Sequence, residues 1–145
     1  MRFVLLFVSA VALWECGKQC TLILCRETLT LEVRTTDGGV PERLRGQITV
    51  EGDVLSFACP PEGVGSGDYD CSPGTVVVDL NLVGVRGMTY VGDPLPASLP
   101  LTIEVPDAGL SWSGTLTPAY TTFEANGPGC GECSRGTERV TLEAR

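Results

Sequence analysis

Glycine and proline interrupt this chain so often that long helices have almost no room. The 145 residues include 18 glycines and 10 prolines, and after Gly17 the longest stretch free of both is residues 18–37. Both residues destabilise a helix interior, glycine through its backbone entropy and proline because it lacks an amide hydrogen. The core must therefore be built from short elements, which favours strands.

Between these interruptions, apolar residues alternate with polar ones, as in a half-buried strand. The apolar positions of the three clearest runs are Leu29, Leu31 and Val33, then Val76, Val78, Leu80 and Leu82, and then Leu99, Leu101, Ile103 and Val105. Further strands are expected in residues 47–51, 54–59, 110–117 and 137–143. The Gly52-Asp53 pair predicts a hairpin turn between the first two of these.

Seven or eight short strands with frequent turns predict an all-β fold. We expect one antiparallel β-sandwich over residues 28–145, because two sheets can bury their apolar faces against each other. A closed barrel is the competing architecture. Phe57 and Trp112 lie on predicted strands and are the aromatic candidates for the core.

Composition excludes several classes of function. The chain has 18 acidic and 10 basic residues, a formal charge of −8 and no histidine. The negative charge argues against a nucleic-acid partner, and histidine is the commonest general base and metal ligand. We predict a protein that is not an enzyme and that has no cofactor and no metal. A hydrolase using paired acidic residues is the weaker alternative, since no spacing singles out two of them.

Residues 1–15 have the pattern of an export signal. Arg2 and the amino terminus are followed by an uncharged run over residues 3–13, which is too short for a membrane-spanning helix of about 20 residues. Cleavage after Ala12 would release a secreted, unanchored ligand-binding domain. The stretch ending at Cys16 instead resembles a bacterial lipoprotein signal with Leu13 at its aliphatic position, which implies that Cys16 is lipidated and becomes the first mature residue.

The cysteine count favours the lipidated form, because an exported protein with an odd number of cysteines keeps a free thiol. Residues 16–27 then form a tether, and Gly17, which is not aspartate, implies the outer membrane of a Gram-negative cell. Six cysteines remain for three disulfide bonds: Cys20, Cys25, Cys59, Cys71, Cys130 and Cys133.

Topology suggests how these six cysteines pair. In many sandwiches the first strand runs parallel to the last, which would bring Cys20 and Cys25 beside Cys130 and Cys133 and join the two chain ends. Local bridges within each of these pairs are the alternative, and Cys59 is expected to bond to Cys71. A zinc site at these four cysteines is less favoured, because an oxidising compartment favours disulfides. A redox pair at Cys130 and Cys133 is less favoured still, because their surroundings are typical of a loop and not of a helix N-terminus.

Two loops carry candidate binding residues. Asp68, Tyr69 and Asp70, in the loop between Cys59 and Cys71, offer carboxylates and an aromatic ring to a ligand, although a solvated loop is the favoured interpretation. In residues 86–98, Met88, Tyr90 and Val91 could form an apolar contact patch, although a crossover between two sheets is the simpler interpretation.

Residues 121–133 are similar to cysteine-bearing loops that precede the last strand in small exported bacterial lipoproteins with an immunoglobulin-like or transthyretin-like sandwich. This resemblance covers the signal and the overall plan and includes no catalytic motif. It implies a non-enzymatic module with a structural or binding role, anchored to the outer membrane by its lipid and exposed to the periplasm or the cell surface. An envelope protein or a glycan is the partner that such a place implies, and the oligomeric state stays open.

Overall fold

The computed structural model describes residues 26–61, 67–81, 95–125 and 127–144 of the chain. The structure of these residues is all-β, as predicted, with nine strands and one 3₁₀ turn at Pro106–Ala108. The strands are β1 (Thr28–Thr35), β2 (Leu44–Val50), β3 (Asp53–Cys59), β4 (Tyr69–Ser72), β5 (Thr75–Asp79), β6 (Leu99–Val105), β7 (Leu110–Leu116), β8 (Tyr120–Phe123) and β9 (Cys133–Ala144). Their number exceeds the predicted seven or eight because β4 and β8 lie where the prediction places loops.

Two-residue turns fix the register of the hairpins. Val50 pairs with Asp53, so Glu51 and Gly52 form the β2–β3 turn with φ values of 51° and 97°. Positive φ at both central residues defines a type I′ turn, whose twist matches that of the flanking strands. The predicted turn at Gly52-Asp53 is therefore wrong by one residue, because Asp53 already belongs to β3.

The strands follow one hydrogen-bonded path in the order β3-β2-β6-β7-β9-β1-β5-β4, and β8 lies beside β9. Adjacent strands on this path are antiparallel except β1 and β9, which are parallel with Thr30 in register with Thr137. This confirms the predicted placement of the first strand beside the last. The path is nearly closed, so the sheet has the barrel-like character of the competing architecture.

Pairing with β9 is interrupted between β7 and β8. Ser111 pairs with Glu143 and Tyr120 pairs with Gly136, so residues 112–119 separate from β9 while β7 stays paired to β6. Eight residues on one side therefore lie opposite the six residues 137–142 on the other. Pro118, which has no amide hydrogen to donate, lies in this interruption.

The two end strands of the path, β3 and β4, meet at a seam that lacks a backbone ladder. The predicted Cys59–Cys71 disulfide crosses this seam, with 5.6 Å between the Cα atoms. The Ala58 amide donates a hydrogen bond to the Tyr69 hydroxyl at 3.3 Å, and the Tyr69 ring lies 6.1 Å from the Phe57 ring, measured between centroids. A covalent bond, a hydrogen bond and an aromatic contact thus hold together two strands that do not pair.

The core consists of the inward-facing residues of the predicted alternating runs. Leu29, Leu31, Val76, Val78 and Leu99 are wholly inaccessible, and they pack in one apolar cluster with the inward residues of β2, β3, β6 and β9. Phe57 is buried as predicted, with 3% of its surface exposed.

Two positions differ from the predicted burial pattern, and a third lies outside the described residues. Trp112 is only half-buried and packs against the edge of the cluster, because β7 separates from β9 at this residue. Asp79, which the alternation places on the polar face, is buried with 4% exposure. Its carboxylate accepts hydrogen bonds from Arg26 Nε at 2.8 Å and from the Asn81 amide at 3.1 Å. Leu82 lies outside the described residues.

Candidate functional site

A concavity of about 830 Å³ lies over the four consecutive strands β3, β2, β6 and β7. The pairing register arranges its outward side chains in two rows across these strands. One row is Ala58, Arg45, Glu104 and Ser111, and the other is Ser56, Gln47, Thr102 and Ser113. Each row takes one residue from every strand, so the site depends on the order of the strands in the sheet.

Strand alternation explains why these side chains point outward. Phe57, Ile103 and Trp112 lie between the two rows and face the core, and their sequence neighbours must therefore face the opposite side of the sheet. The lining includes the exposed residues Arg45, Gln47 and Thr102 and does not include the buried Ile48 or Leu101. The concavity is consequently on the outer surface of the barrel, and the strand segments between the two rows form its floor.

Gly46 allows the floor to pack closely. A Cβ atom at this position would lie 2.4 Å from the backbone oxygen of Thr102 and 2.6 Å from Cζ of Phe57. Both distances are far below a normal carbon contact, so the Phe57 ring and the neighbouring strand occupy the space that a side chain would need. Glycine is therefore the residue that fits at the centre of this part of the sheet.

The charged groups of the concavity neutralise each other. Arg45 Nε donates a hydrogen bond to the Glu104 carboxylate, and the two residues are cross-strand partners on β2 and β6. The Gln47 amide donates to the Ser56 hydroxyl at 3.3 Å along the other row. The surface thus combines one internal ion pair with an array of hydroxyl and amide groups.

A smaller depression of about 260 Å³ adjoins the concavity. Arg45 and Ala58 line both of them, and the smaller one extends over Pro60, Pro61 and Pro106. Together they form an open, elongated surface that runs past the Cys59–Cys71 disulfide.

The structure does not place the three candidate ligand residues of the Cys59–Cys71 loop on one face of the sheet. Tyr69 faces inward in register with Val78, and its hydroxyl is used at the seam, where Tyr69 also borders the concavity. Asp70 is exposed in register with Val77, which places its side chain on the opposite face of β4. The Asp68 carbonyl accepts the Asp79 amide at 2.8 Å.

Asp70 contributes to the electrostatics of a different cluster. The pKa of Arg26 is raised, chiefly by its hydrogen bond to Asp79 and by the charge of that carboxylate, with a smaller contribution from Asp70. This cluster ties the residues before β1 to the end of β5 at Asp79. It therefore has a structural role at the start of the barrel.

Tyr120 is a second group with a shifted pKa. Its hydroxyl donates a hydrogen bond to the Pro96 carbonyl at 3.1 Å. Burial, together with the negative charges of Glu138 and Glu27, raises its pKa to about 12. The tyrosine lies against Gly136, where a Cβ atom would come within 3.1 Å of the ring. It packs at the start of β9 and remains protonated at neutral pH.

The remaining predictions on cysteine and metal chemistry concern the chain ends. Cys130 and Cys133 are disulfide-bonded, so in this form neither offers a thiolate to zinc. Their pairing with Cys20 and Cys25, like the lipidation of Cys16 and the signal over residues 1–15, lies outside the described residues. Met88, Tyr90 and Val91 also lie outside them.

Within the described ranges, no three histidine, cysteine, aspartate or glutamate residues are grouped to hold a metal ion. None of the helical structure in that part of the chain is long and apolar enough to span a membrane.

Sequence reasoning did not identify the outward rows as a site. Their residues come from four segments, 45–47, 56–58, 102–104 and 111–113, that are adjacent only because β6 lies beside β2. The available signal was a bias toward small hydroxyl-bearing residues at the polar positions of these strands. Comparisons with protein-family models, with curated proteins and with solved structures gave no match.

Proposed function

We propose that this protein is an exported module of the bacterial envelope, anchored by a lipid on Cys16, which acts by binding or scaffolding and not by catalysis. In this proposal the two halves of the barrel act as the two layers of a disulfide-stabilised sandwich. A secreted form cut after Ala12 is the alternative, and it would present the same surface without an anchor.

The observation that carries the proposal is the Cys59–Cys71 disulfide across the seam. Disulfides persist in oxidising compartments and are rare in the reducing cytosol. Here the bond lies where the two end strands meet without a ladder, so a chain kept reduced would lose the covalent closure of its barrel. Export to the periplasm or the cell surface fits this architecture.

The start of β1 supports an anchor on the preceding residues. The Glu27 carbonyl accepts the Leu80 amide at 2.8 Å, so regular hydrogen bonding begins where the proposed tether of residues 16–27 ends. β1 is flanked by β5 on one side and by β9 on the other. A lipid on Cys16 would thus be connected to a strand that is fixed on both edges.

The position of the concavity fits an anchored binding module. β2 and β6 are the second and third strands of the eight-strand path, and β1 and β5 are the sixth and seventh. Positions four steps apart in a nearly closed path of eight lie on opposite sides. The concavity therefore faces away from the strand that continues from the tether, which leaves it accessible to a partner.

The chemistry of the concavity favours binding over hydrolysis. A glycosidase of the common type requires two carboxyl groups at the scissile bond. Glu104 is the one carboxylate among the described residues that line the concavity, and it is paired with Arg45. The hydrolase alternative receives no support from this arrangement.

The test is the mature amino terminus of the protein expressed with its own leader in a Gram-negative host. Mass spectrometry should find an acylated Cys16, and the protein should fractionate with membranes, whereas Cys16→Ser should prevent both. The six other cysteines should react with an alkylating reagent only after reduction. An unmodified terminus at Leu13 would rule out the anchor, and free thiols on a protein found in the cytosol would rule out export.

A further inference from the structure

The outward rows of β3, β2, β6 and β7 suggest a class of ligand. We propose that the concavity binds a neutral oligosaccharide, an inference that rests on the proposed function as a binding module of the envelope. Seven of the eight outward side chains are polar: Arg45, Gln47, Ser56, Thr102, Glu104, Ser111 and Ser113. Hydroxyl and amide side chains both donate and accept hydrogen bonds, as sugar hydroxyls do.

Charge selects a neutral ligand. Arg45 pairs with Glu104, and in the adjoining depression Arg43 lies 3.9 Å from the Asp107 carboxylate, so each cation is compensated by a carboxylate of the chain itself. The whole chain carries a formal charge of −8, which repels an anionic glycan at long range. A polyhydroxylated, uncharged molecule suits such a surface better than a phosphate, a uronate or a basic peptide.

Backbone pairing disfavours a peptide that adds a strand. β2 is hydrogen-bonded to β3 on one edge and to β6 on the other, and β6 is paired to β2 and β7. Strand addition needs a free edge, whereas the concavity lies on the face of the sheet. A ligand seated here is held by side chains, so it must carry its own dense array of hydrogen-bonding groups.

The dimensions suit an oligomer. The concavity of about 830 Å³ falls within the range of roughly 300–1,000 Å³ typical of small-ligand sites. The adjoining depression of about 260 Å³ shares Arg45 and Ala58 with it and lengthens the surface. A linear chain of sugar units fits an open, elongated site better than a single compact molecule does.

Trp112 provides a fluorescence signal from β7, between Ser111 and Ser113 of the two outward rows. It lines the concavity and is the only tryptophan after residue 15. The mature protein is titrated with cellohexaose, maltohexaose and hexa-N-acetylchitohexaose, and with hexagalacturonate as the anionic comparison. We expect saturable changes in tryptophan fluorescence and in the amide resonances of residues 45–47 and 102–104 with at least one neutral sugar. Hexagalacturonate should bind at least tenfold more weakly.

Matched variants test whether the outward rows are responsible. The double variant Gln47→Leu/Thr102→Val removes two hydrogen-bonding groups, and we expect at least a tenfold loss of affinity for the sugar that binds. Thr30→Val repeats the Thr102→Val part of this change at an outward-facing position of β1, on the opposite side of the barrel, and should leave affinity unchanged.

Several outcomes would overturn the inference. They are the absence of any response to the neutral sugars, equal binding of hexagalacturonate, and equal loss of affinity in the two variants. Self-association in sedimentation experiments that the double variant abolishes would also overturn it, because the face would then be an interface between copies. The titration uses purified protein and does not depend on acylation, so a sugar-binding failure with Cys16 acylated would refute this inference and leave the proposed function standing.

Discussion

Removal of the Cys59–Cys71 disulfide is the sharpest test of how the barrel closes. The two cysteines are 12 positions apart, and the bond joins end strands that have no backbone ladder between them. Closing a loop of this size removes about 3 kcal/mol of chain entropy from the unfolded state. The seam retains the Ala58–Tyr69 hydrogen bond, which contributes about 1 kcal/mol. We therefore expect Cys59→Ala/Cys71→Ala to lower the free energy of unfolding by about 3 kcal/mol.

Urea unfolding monitored by the fluorescence of Trp112 measures this loss. Tyr69→Phe is the matched control, because it keeps the aromatic ring beside Phe57 and removes only the hydroxyl that accepts the Ala58 amide hydrogen. Its cost should be about 1 kcal/mol. Amide exchange supplies a local readout, since the Ala58 amide should lose protection in both variants and more so in the disulfide variant.

A decrease of less than about 1 kcal/mol in the free energy of unfolding of the double cysteine variant, with an unchanged dependence on urea, would contradict this expectation. Such a result would mean that the inward packing of β3 and β4 holds the seam without the covalent bond. A loss no larger than that of Tyr69→Phe would lead to the same conclusion.

Three further perturbations test the core, the buried carboxylate and the raised tyrosine pKa. Gly46→Ala should lower the free energy of unfolding in urea by at least about 2 kcal/mol, because its Cβ would lie 2.4 Å from a backbone oxygen. Gly114→Ala should lower it less, since its Cβ meets only an indole ring at 2.9 Å. Equal losses in the two variants would contradict this expectation. Arg26→Met removes the guanidinium that donates a 2.8 Å hydrogen bond to the buried Asp79 carboxylate, and it should lower the free energy of unfolding by about 1–3 kcal/mol. A double-mutant cycle with Asp79→Asn that shows no coupling would contradict this interaction. The pKa of Tyr120 is raised to about 12, above the value of about 10 of an unfolded tyrosine, so the contribution of Tyr120 to stability is complete below about pH 10 and is lost as the pH rises toward 12. Ultraviolet titration should show one tyrosine that ionises late, and Tyr120→Phe should remove this ionisation. A late ionisation that persists in Tyr120→Phe would belong to another tyrosine.

Local alternation was enough to predict which face of each strand is buried. Leu29, Leu31 and Val33 are inaccessible, as their period of two requires, and the same holds for Val76 and Val78. In a strand, the spacing of apolar residues fixes the face directly, because successive side chains point to opposite sides. The buried face of each strand can therefore be predicted without knowing which strands lie beside it.

Positions that depend on distant neighbours were not predicted. Tyr69 lies among aspartates and glycines, which are poor strand formers, and it becomes part of β4 because β5 pairs with it and Cys71 is bonded to Cys59. Trp112 has the pattern of a core residue, yet the separation of β7 from β9 leaves it half-exposed. In both cases pairing between remote segments outweighs local preference.

The candidate site is harder to predict because it has no local pattern. Arg45 and Glu104 are 59 positions apart and meet only because β6 pairs with β2. A sequence offers the outward polar positions of each strand but not the order in which the strands lie. The Cys59–Cys71 loop concentrates acidic and aromatic residues in one segment, which is the local pattern that predicts a ligand site. In the structure, its tyrosine forms a hydrogen bond between two strands.

The two interruptions of the barrel explain why this fold depends on side-chain links. A barrel removes exposed edges only when every strand is paired on both sides, and here pairing fails between β3 and β4 and again where residues 112–119 separate from β9. Cys59 and Cys71 cover the first interruption, and Cys130 and Cys133, which are also disulfide-bonded, lie at or just before the start of β9. The strands beneath the concavity pair along a continuous ladder from β3 to β7 and contain no cysteine except Cys59. The chain thus places the Cys59–Cys71 cross-link where backbone pairing is incomplete, and its proposed binding face where that pairing is continuous.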